Sequence, residues 1–179
     1  MKKKSFIMAL ALVLVFAVAV GGVVAWLTDK TAPVKNTFTV GDINIALTES
    51  PNLDLKMVPG KTITKDPKVT VEANSEACYL FVEVEKSTNF DAFMTYAMAD
   101  GWKVLDGQTG VYYREVDATT ADTSFAVLKD NQVTVKDTVT KTQLEAVKTA
   151  GQPTLTFTAY AVQKDNMKDV ATAWAEATK

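Results

Sequence analysis

Residues 154–163 read TLTFTAYAVQ, and this stretch has the clearest strand pattern in the chain. Its side chains alternate in character, and many of its residues are β-branched or aromatic. Successive side chains of a strand point to opposite faces, so this pattern predicts a β-strand with one buried face. In residues 79–86 the apolar residues Leu80, Val82 and Val84 share one face, while the other face begins aromatic and ends acidic. These two stretches favour a domain built mainly from strands.

Shorter runs with the same period follow the chain on either side. Strands are predicted over residues 42–48, 68–73, 102–105, 111–116, 125–128 and 132–135. Turns are predicted at 58–61, where proline precedes glycine, and at 74–76. The strands at 102–105 and 111–116 form a hairpin across a polar loop. Many short strands separated by turn signals indicate a β-sandwich.

Helical spacing replaces the alternation in three places. Apolar residues recur with that spacing over residues 90–98, and Thr88 or Asn89 can cap the start. A capping box, Thr142 to Glu145, predicts a helix carrying Leu144 and Val147 that stops at residues 151–153. An amphipathic helix over residues 170–177 turns Trp174 to the core. The expected fold is therefore mainly β, with two or three short helices, in a single domain.

The N-terminus has the organisation of a secretory signal peptide. Three lysines at positions 2–4 precede an apolar run over residues 6–20, and small residues lead to Ala25. Cleavage is predicted between Ala25 and Trp26, which leaves residues 26–179 as the mature domain. An uncleaved anchor is the alternative, since residues 6–27 carry no charge and are long enough to span a bilayer of about 30 Å.

The residues after the predicted cleavage site change phase at Gly41. Phe38 and Val40 are apolar at even positions, whereas Ile43, Ile45 and Leu47 are apolar at odd positions. A slip of one residue turns a strand over, so a bulge or bend is expected at Gly41. Residues before this point are candidates for pairing between subunits, and those after it are expected to join the subunit's own core.

The leader and this junction resemble the TasA and camelysin (CalY) group, which are secreted proteins of Gram-positive bacteria processed by the SipW type of signal peptidase. The residues that carry the resemblance are Gly21, Gly22, Ala25, Trp26, Thr28, Asp29, Asn36, Thr37, Phe38, Gly41, Ile43 and Ile45. Later segments, including residues 58–85, fit the same group. The resemblance implies a jelly-roll-like sandwich and a structural protein of the extracellular or biofilm matrix that assembles into fibres.

Strand addition is the physical route to such fibres. Removal of the leader frees a β-prone segment, residues 26–40, that can complete the sheet of a neighbouring subunit. We expect the side chains that enter the acceptor to be Leu27, Val34, Phe38 and Val40. Expected partners are the signal peptidase, further copies of the chain and other matrix proteins. The protein is expected outside the cell or at its surface, with membrane contact only through an uncleaved leader.

Composition limits the alternative chemistry. The chain has 179 residues, no histidine, one cysteine and a net charge of −2. Zinc sites draw mainly on histidine and cysteine, so neither a metal nor another cofactor is expected, although the resemblance to camelysin suggests a metalloendopeptidase. Calcium through loop carboxylates is weakly supported, since Asp117, Asp122, Asp130 and Asp137 lack the spacing of a calcium loop. A single arginine in an acidic chain argues against nucleic acid.

Catalytic residues are not predicted. Cys78 precedes an apolar strand and is read as a core residue, and Ser75 and Ser124 have no histidine to activate them. Glu83 and Glu85 lie on the same face of a strand and resemble the carboxylate pair of a glycosidase. Exposed residues two apart on a strand commonly share a face, so the pair is not taken as catalytic. The remaining alternative is a monomeric surface-binding module, whose aromatic candidates are Trp102, Tyr112, Tyr113 and Trp174. Packing in the sheet and core explains these aromatic side chains more simply.

Overall fold

The computed structural model describes residues 41–51 and 55–179. The strands of these residues are β1 (Ile45–Thr48), β2 (Thr62–Thr64), β3 (Lys68–Val71), β4 (Cys78–Lys86), β5 (Met94–Thr95), β6 (Lys103–Val104), β7 (Val111–Val116), β8 (Thr123–Ala126), β9 (Gln132–Val135) and β10 (Leu155–Gln163). The helices are α1 (Phe90–Phe93), α2 (Lys141–Ala150) and α3 (Val170–Ala177). The prediction of a mainly β domain with short helices is confirmed, and the signal segment 1–25 lies outside the described residues.

The strands form three antiparallel sheets with the orders β1-β3-β8, β10-β4-β7-β6 and β2-β9-β5. The predicted hairpin is present, because Lys103 pairs with Tyr113 and Val104 with Tyr112. The predicted Pro-Gly turn is also present: Gly60 has φ +72°, and the Lys61 amide donates to the Val58 carbonyl at 3.0 Å. A positive φ is tolerated at Gly60 because glycine has no Cβ.

Strand β4 is the centre of the fold, with both faces covered over most of its length. Leu80, Val82 and Val84 are buried in one cluster with Val69 and Val71 of β3. Two different sheets therefore contribute to one core, and we call this cluster the inter-sheet core. The alternation predicted for residues 79–86 is confirmed, since burial of one apolar face is what a period of two requires.

The opposite face of β4 is covered by α3. Phe81 is fully buried, and its ring centroid lies 5.3 Å from that of Trp174. Tyr160 of β10 packs edge-on against the same indole at 5.2 Å. The carboxylate of Asp169 accepts a hydrogen bond from the Thr172 amide at 2.8 Å and caps the helix. The prediction that Trp174 turns to the core is confirmed.

The helix predicted over residues 90–98 is wrong beyond its first turn. Helix α1 ends at Phe93, and Met94 is already extended and paired with Val135. The Lys136 amide donates to the Phe93 carbonyl at 2.9 Å, and the Ala99 amide donates to the Val127 carbonyl at 2.9 Å. Neighbouring strands and loops therefore satisfy the backbone that a longer helix would bond internally. Asn89 does precede α1, but its side chain makes no cap.

Two strand predictions need correction. Strand β8 lies at Thr123–Ala126 rather than at 125–128, although Val127 and Leu128 are fully buried. Strand β1 begins at Ile45, and Leu47 is 38% exposed rather than buried. The inter-sheet core reaches Ile43 and Ile45 but does not include Leu47. The bulge predicted at Gly41 depends on the preceding residues, which the structure does not describe.

The cap of α2 lies two residues before the predicted one. The Gln143 amide donates to the Thr140 hydroxyl at 3.3 Å, and the Thr140 amide donates to the Gln143 side chain at 2.8 Å. This reciprocal pair is a capping box, with glutamine in the place of the expected glutamate. The buried apolar residue of the helix is Val147, as predicted, and Gly151 ends it with φ 104°.

Replacing Thr140 with alanine should lower the free energy of unfolding by about 1 kcal/mol, because it leaves the Gln143 amide in the first turn of α2 without its side-chain acceptor. Urea unfolding of the purified domain measures this difference. Thr142→Ala is the matched control: Thr142 is exposed inside α2, where alanine is the better helix former. Equal losses in the two variants would contradict the cap at Thr140.

Candidate functional site

The outer side of β10 is the longest unpaired strand edge in the described part of the chain. Thr154 and Lys164 flank β10, and their backbones bond to Ser87 at 3.1 Å and to Ala77 at 2.8 Å, beside β4. Backbone groups of successive residues alternate sides, so the even-numbered residues of β10 face β4. The odd-numbered residues 155–163 consequently direct their N–H and C=O groups away from β4.

No strand of the described residues pairs with this outer side of β10. The side chains of Leu155, Phe157, Ala159 and Ala161 pack against the inter-sheet core. Strand β1, which begins at Ile45, runs near β10 although it belongs to another sheet. A further strand placed here would gain backbone hydrogen bonds and could bury its own apolar face beside an existing core.

The residues predicted to supply that strand are not described by the structure. Leu27, Val34, Phe38 and Val40 lie outside the described residues, as do both residues of the predicted cleavage site, Ala25 and Trp26. The structure therefore describes a candidate acceptor edge, and the candidate donor remains a prediction from the sequence.

Cys78 is a buried core residue, as predicted. Its side chain has no exposed surface and belongs to the inter-sheet core. Burial raises the pKa of the Cys78 thiol to about 11. The thiolate is the reactive form, so this cysteine is poorly suited to act as a nucleophile near neutral pH.

The two serines considered as nucleophiles have structural partners. Ser75 is buried, its hydroxyl donates to the Glu72 carbonyl at 2.7 Å, and it accepts from the Asn44 amide at 3.2 Å. The Ser124 hydroxyl lies 2.8 Å from the Thr70 hydroxyl across the β3–β8 pair. Ser75 thus ties the chain entering β1 to the turn after β3.

The carboxylate pair on β4 is split between two environments. Glu83 accepts a hydrogen bond from the Tyr160 hydroxyl at 3.1 Å, whereas Glu85 is exposed. Partial burial is the main cause that raises the pKa of Tyr160, and its hydrogen bond to the Glu83 carboxylate raises this pKa further. Glu83 therefore orients a tyrosine of the aromatic cluster below α3, a structural contact that accounts for its position.

The loop aspartates do not converge. Within residues 41–51 and 55–179, no three cysteine, aspartate or glutamate side chains lie close enough together to hold a metal ion. Asp122 instead accepts a hydrogen bond from the Ala73 amide at 2.9 Å. Among the helices of the same residues, none has the length and apolar character needed to cross a membrane.

The candidate aromatic platform is divided among packing contacts. Trp102 donates through its indole N–H to the Ala126 carbonyl at 2.8 Å, and Trp174 of α3 packs against Phe81 and Tyr160. The guanidinium of Arg114 lies 3.8 Å from the ring centroid of Phe125 and 5.2 Å from that of Trp102. Cation–π contacts of this kind join β7 to β8. Tyr112 and Tyr113 are partly buried on β7.

Sequence reasoning missed one feature, a cleft of about 750 Å³ beside α2. Its walls combine apolar side chains with four lysines, which come from α2 and from two separate segments earlier in the chain. Lys141 and Lys148 stand seven residues apart, near Leu144 and Val147, and that spacing was the only local signal. The other wall could be assigned only from the tertiary structure.

No protein-family model, curated protein or solved structure matches the chain. The relationship to the TasA and camelysin group therefore remains a prediction from the residues of the leader and the junction. What the described residues define is a β-rich domain with a long unpaired edge at β10.

Proposed function

We propose that this chain is a secreted structural protein of the extracellular matrix, in which the freed N-terminal segment of one subunit pairs with a neighbouring subunit and so builds a fibre. The observation that carries the proposal is the outer side of β10, whose odd-numbered backbone groups lack a partner strand among the described residues. Strand β10 has nine residues, which is a long edge to leave unpaired. Exposed edges of this kind tend to pair with strands of other chains.

The geometry of the contact favours a filament. The donor segment, residues 26–40, and the acceptor edge at β10 are different surfaces of the same chain. A contact between different surfaces is head-to-tail and can be repeated without closing into a ring. Leu27, Val34, Phe38 and Val40 would supply the apolar side chains, and Pro33 would limit pairing at its own position.

The rest of the proposal follows from the resemblance to the TasA and camelysin group. The domain would be a jelly-roll-like sandwich, with the inter-sheet core between its two faces. A SipW-type signal peptidase would release it after Ala25, and it would remain outside or on the surface of a Gram-positive cell. Other matrix proteins would be its further partners.

Deleting residues 26–36 from the mature protein should abolish fibres, because the donor strand then loses most of its length. Electron microscopy of purified protein across a range of concentrations measures this directly. Fibres formed by the truncated protein would contradict strand donation. A truncated protein that fails to fold would show instead that the segment is the first strand of its own subunit.

A finer pair of variants keeps the segment but changes one face. Phe38→Ser combined with Val40→Ser should prevent fibres, since it removes two apolar side chains proposed to enter the acceptor. Thr37→Ser combined with Thr39→Ser is the control, because it alters the opposite face of the same residues. Loss of fibres in both pairs would point to a general effect of the segment rather than to side-chain insertion.

A further inference from the structure

The cleft beside α2 has a floor of buried apolar side chains. Ile63 of β2, Phe90 of α1, Met94 of β5, Val133 of β9 and Val147 of α2 are each no more than 7% exposed. These residues come from five elements of one hydrophobic cluster. The volume of about 750 Å³ falls within the range of roughly 300–1,000 Å³ that is usual for pockets of small ligands.

The upper walls of the cleft are apolar and open to solvent. Leu144 on α2 faces the cleft with Met57 and Leu155, which are partly buried, while Leu55 is 52% exposed. Phe90 is the only aromatic residue of the described lining, which contains neither tyrosine nor tryptophan. Sugars and aromatic ligands are commonly held by stacking on such rings, so this lining favours an aliphatic chain.

The rim of the cleft carries positive charge. Lys56, Lys65, Lys141 and Lys148 line it, together with Glu145. Lys65 pairs with Glu49 at 2.7 Å, and Lys148 pairs with Glu145 at 2.9 Å. Lys65 and Lys148 are thus each matched by a carboxylate, and Lys141 adds a positive charge at the mouth of an apolar cavity.

We propose that this cleft binds an anionic amphiphile with one aliphatic chain, of the medium-chain carboxylate type. The chain would lie on the floor formed by β2, β9 and α1, and the carboxylate would meet the lysines at the rim. Charge complementarity favours an anionic head group over a cationic one, and the aliphatic lining favours an aliphatic tail. The cleft and the outer side of β10 share only Leu155, so this binding is independent of the proposed assembly.

Chain length gives the first measurement. The secreted mature protein is titrated by calorimetry with octanoate, decanoate and dodecanoate, each below its micelle concentration. Burial of a methylene contributes about 0.8 kcal/mol, so affinity should rise by up to about fourfold per added methylene. Absence of dodecanoate binding, or an affinity independent of chain length, would overturn the proposal. Absence of binding is the result expected if residues of the chain itself fill the cleft.

Charge gives the second measurement. Dodecyltrimethylammonium should bind at least about tenfold more weakly than dodecanoate, because it presents the wrong sign to the lysines. Lys141→Glu should weaken dodecanoate binding by about fivefold, since it reverses one rim charge. Glutamate is favourable in the first turn of a helix, so α2 should remain folded. Equal binding of the cation would overturn the proposal.

Matched controls locate the site. Lys168→Glu reverses the charge of an exposed lysine outside the cleft and should leave the affinity unchanged. Leu144→Gln should lower the affinity at least about tenfold, whereas Ala146→Gln, on the exposed side of α2, should not. Thermal unfolding checks that each variant is folded. Wild-type affinity in folded Leu144→Gln protein would place the ligand elsewhere and overturn the assignment.

Discussion

In the Ala159→Pro variant we expect fibre growth to stop while the domain stays folded. Ala159 occupies an odd-numbered position of β10, so its N–H is directed away from β4. Proline removes that outward donor and places its ring where an incoming strand would pair. The pairing of β10 with β4 keeps its hydrogen bonds, because proline is tolerated on an edge strand when its position faces outward.

The measurement has two parts, electron microscopy for fibres and thermal unfolding for the domain. Ser124→Pro is the matched control on another edge, since Ser124 of β8 also directs its backbone away from its partner strand β3. Fibres should persist in this control. Fibres in Ala159→Pro protein would rule out β10 as the acceptor, and their loss only in Ser124→Pro protein would place the acceptor at β8.

Replacing Phe81 with alanine should cause the largest loss of stability among single substitutions on β4. Phe81 is fully buried between Trp174 and the rings of Tyr79 and Tyr113. Truncation removes buried apolar surface and leaves a cavity below α3, a change that typically costs about 3–5 kcal/mol. A domain of this size has only about 5–15 kcal/mol of net stability, so the variant would be close to unfolding.

Urea unfolding monitored by tryptophan fluorescence measures the loss, because Trp174 reports on the same cluster. Glu85→Ala is the control: Glu85 lies on the same face of β4 but is exposed, and its removal should change the free energy of unfolding by less than about 0.5 kcal/mol. A loss below about 1 kcal/mol in the Phe81→Ala variant would mean that α3 does not depend on this aromatic contact.

Local patterns were sufficient where one face of an element is buried along its whole length. The strand at 79–86 was found because Leu80, Val82 and Val84 all enter the inter-sheet core. The helix at 170–177 was found because Ala173 and Trp174 share one stripe. In these segments the spacing of apolar residues in the sequence is the same as the spacing of buried residues in the structure. The secondary structure can therefore be predicted from residues that are close together in the chain.

The same reasoning failed where distant segments satisfy the backbone. Residues 94–98 have helical spacing, but the segments around Leu128 and Val135 bond to them and hold them extended. Leu47 follows the strand period, yet the inter-sheet core does not extend to it. The cleft beside α2 is the clearest case, because Ile63, Phe90 and Val133 belong to three separate segments of the chain.

The sequence by itself determined the strand-rich class of the domain, the position of the strand at residues 79–86 and the expectation of a secreted chain with a freed N-terminal segment. These follow from periodicity and from the apolar leader, both of which are local properties. Only the tertiary structure decided which strand edge is left unpaired and where an apolar cleft meets lysines. The unpaired edge and the cleft both depend on which distant segments become neighbours. Those neighbours are determined by which strands pair through their backbone groups and by which side chains share a core.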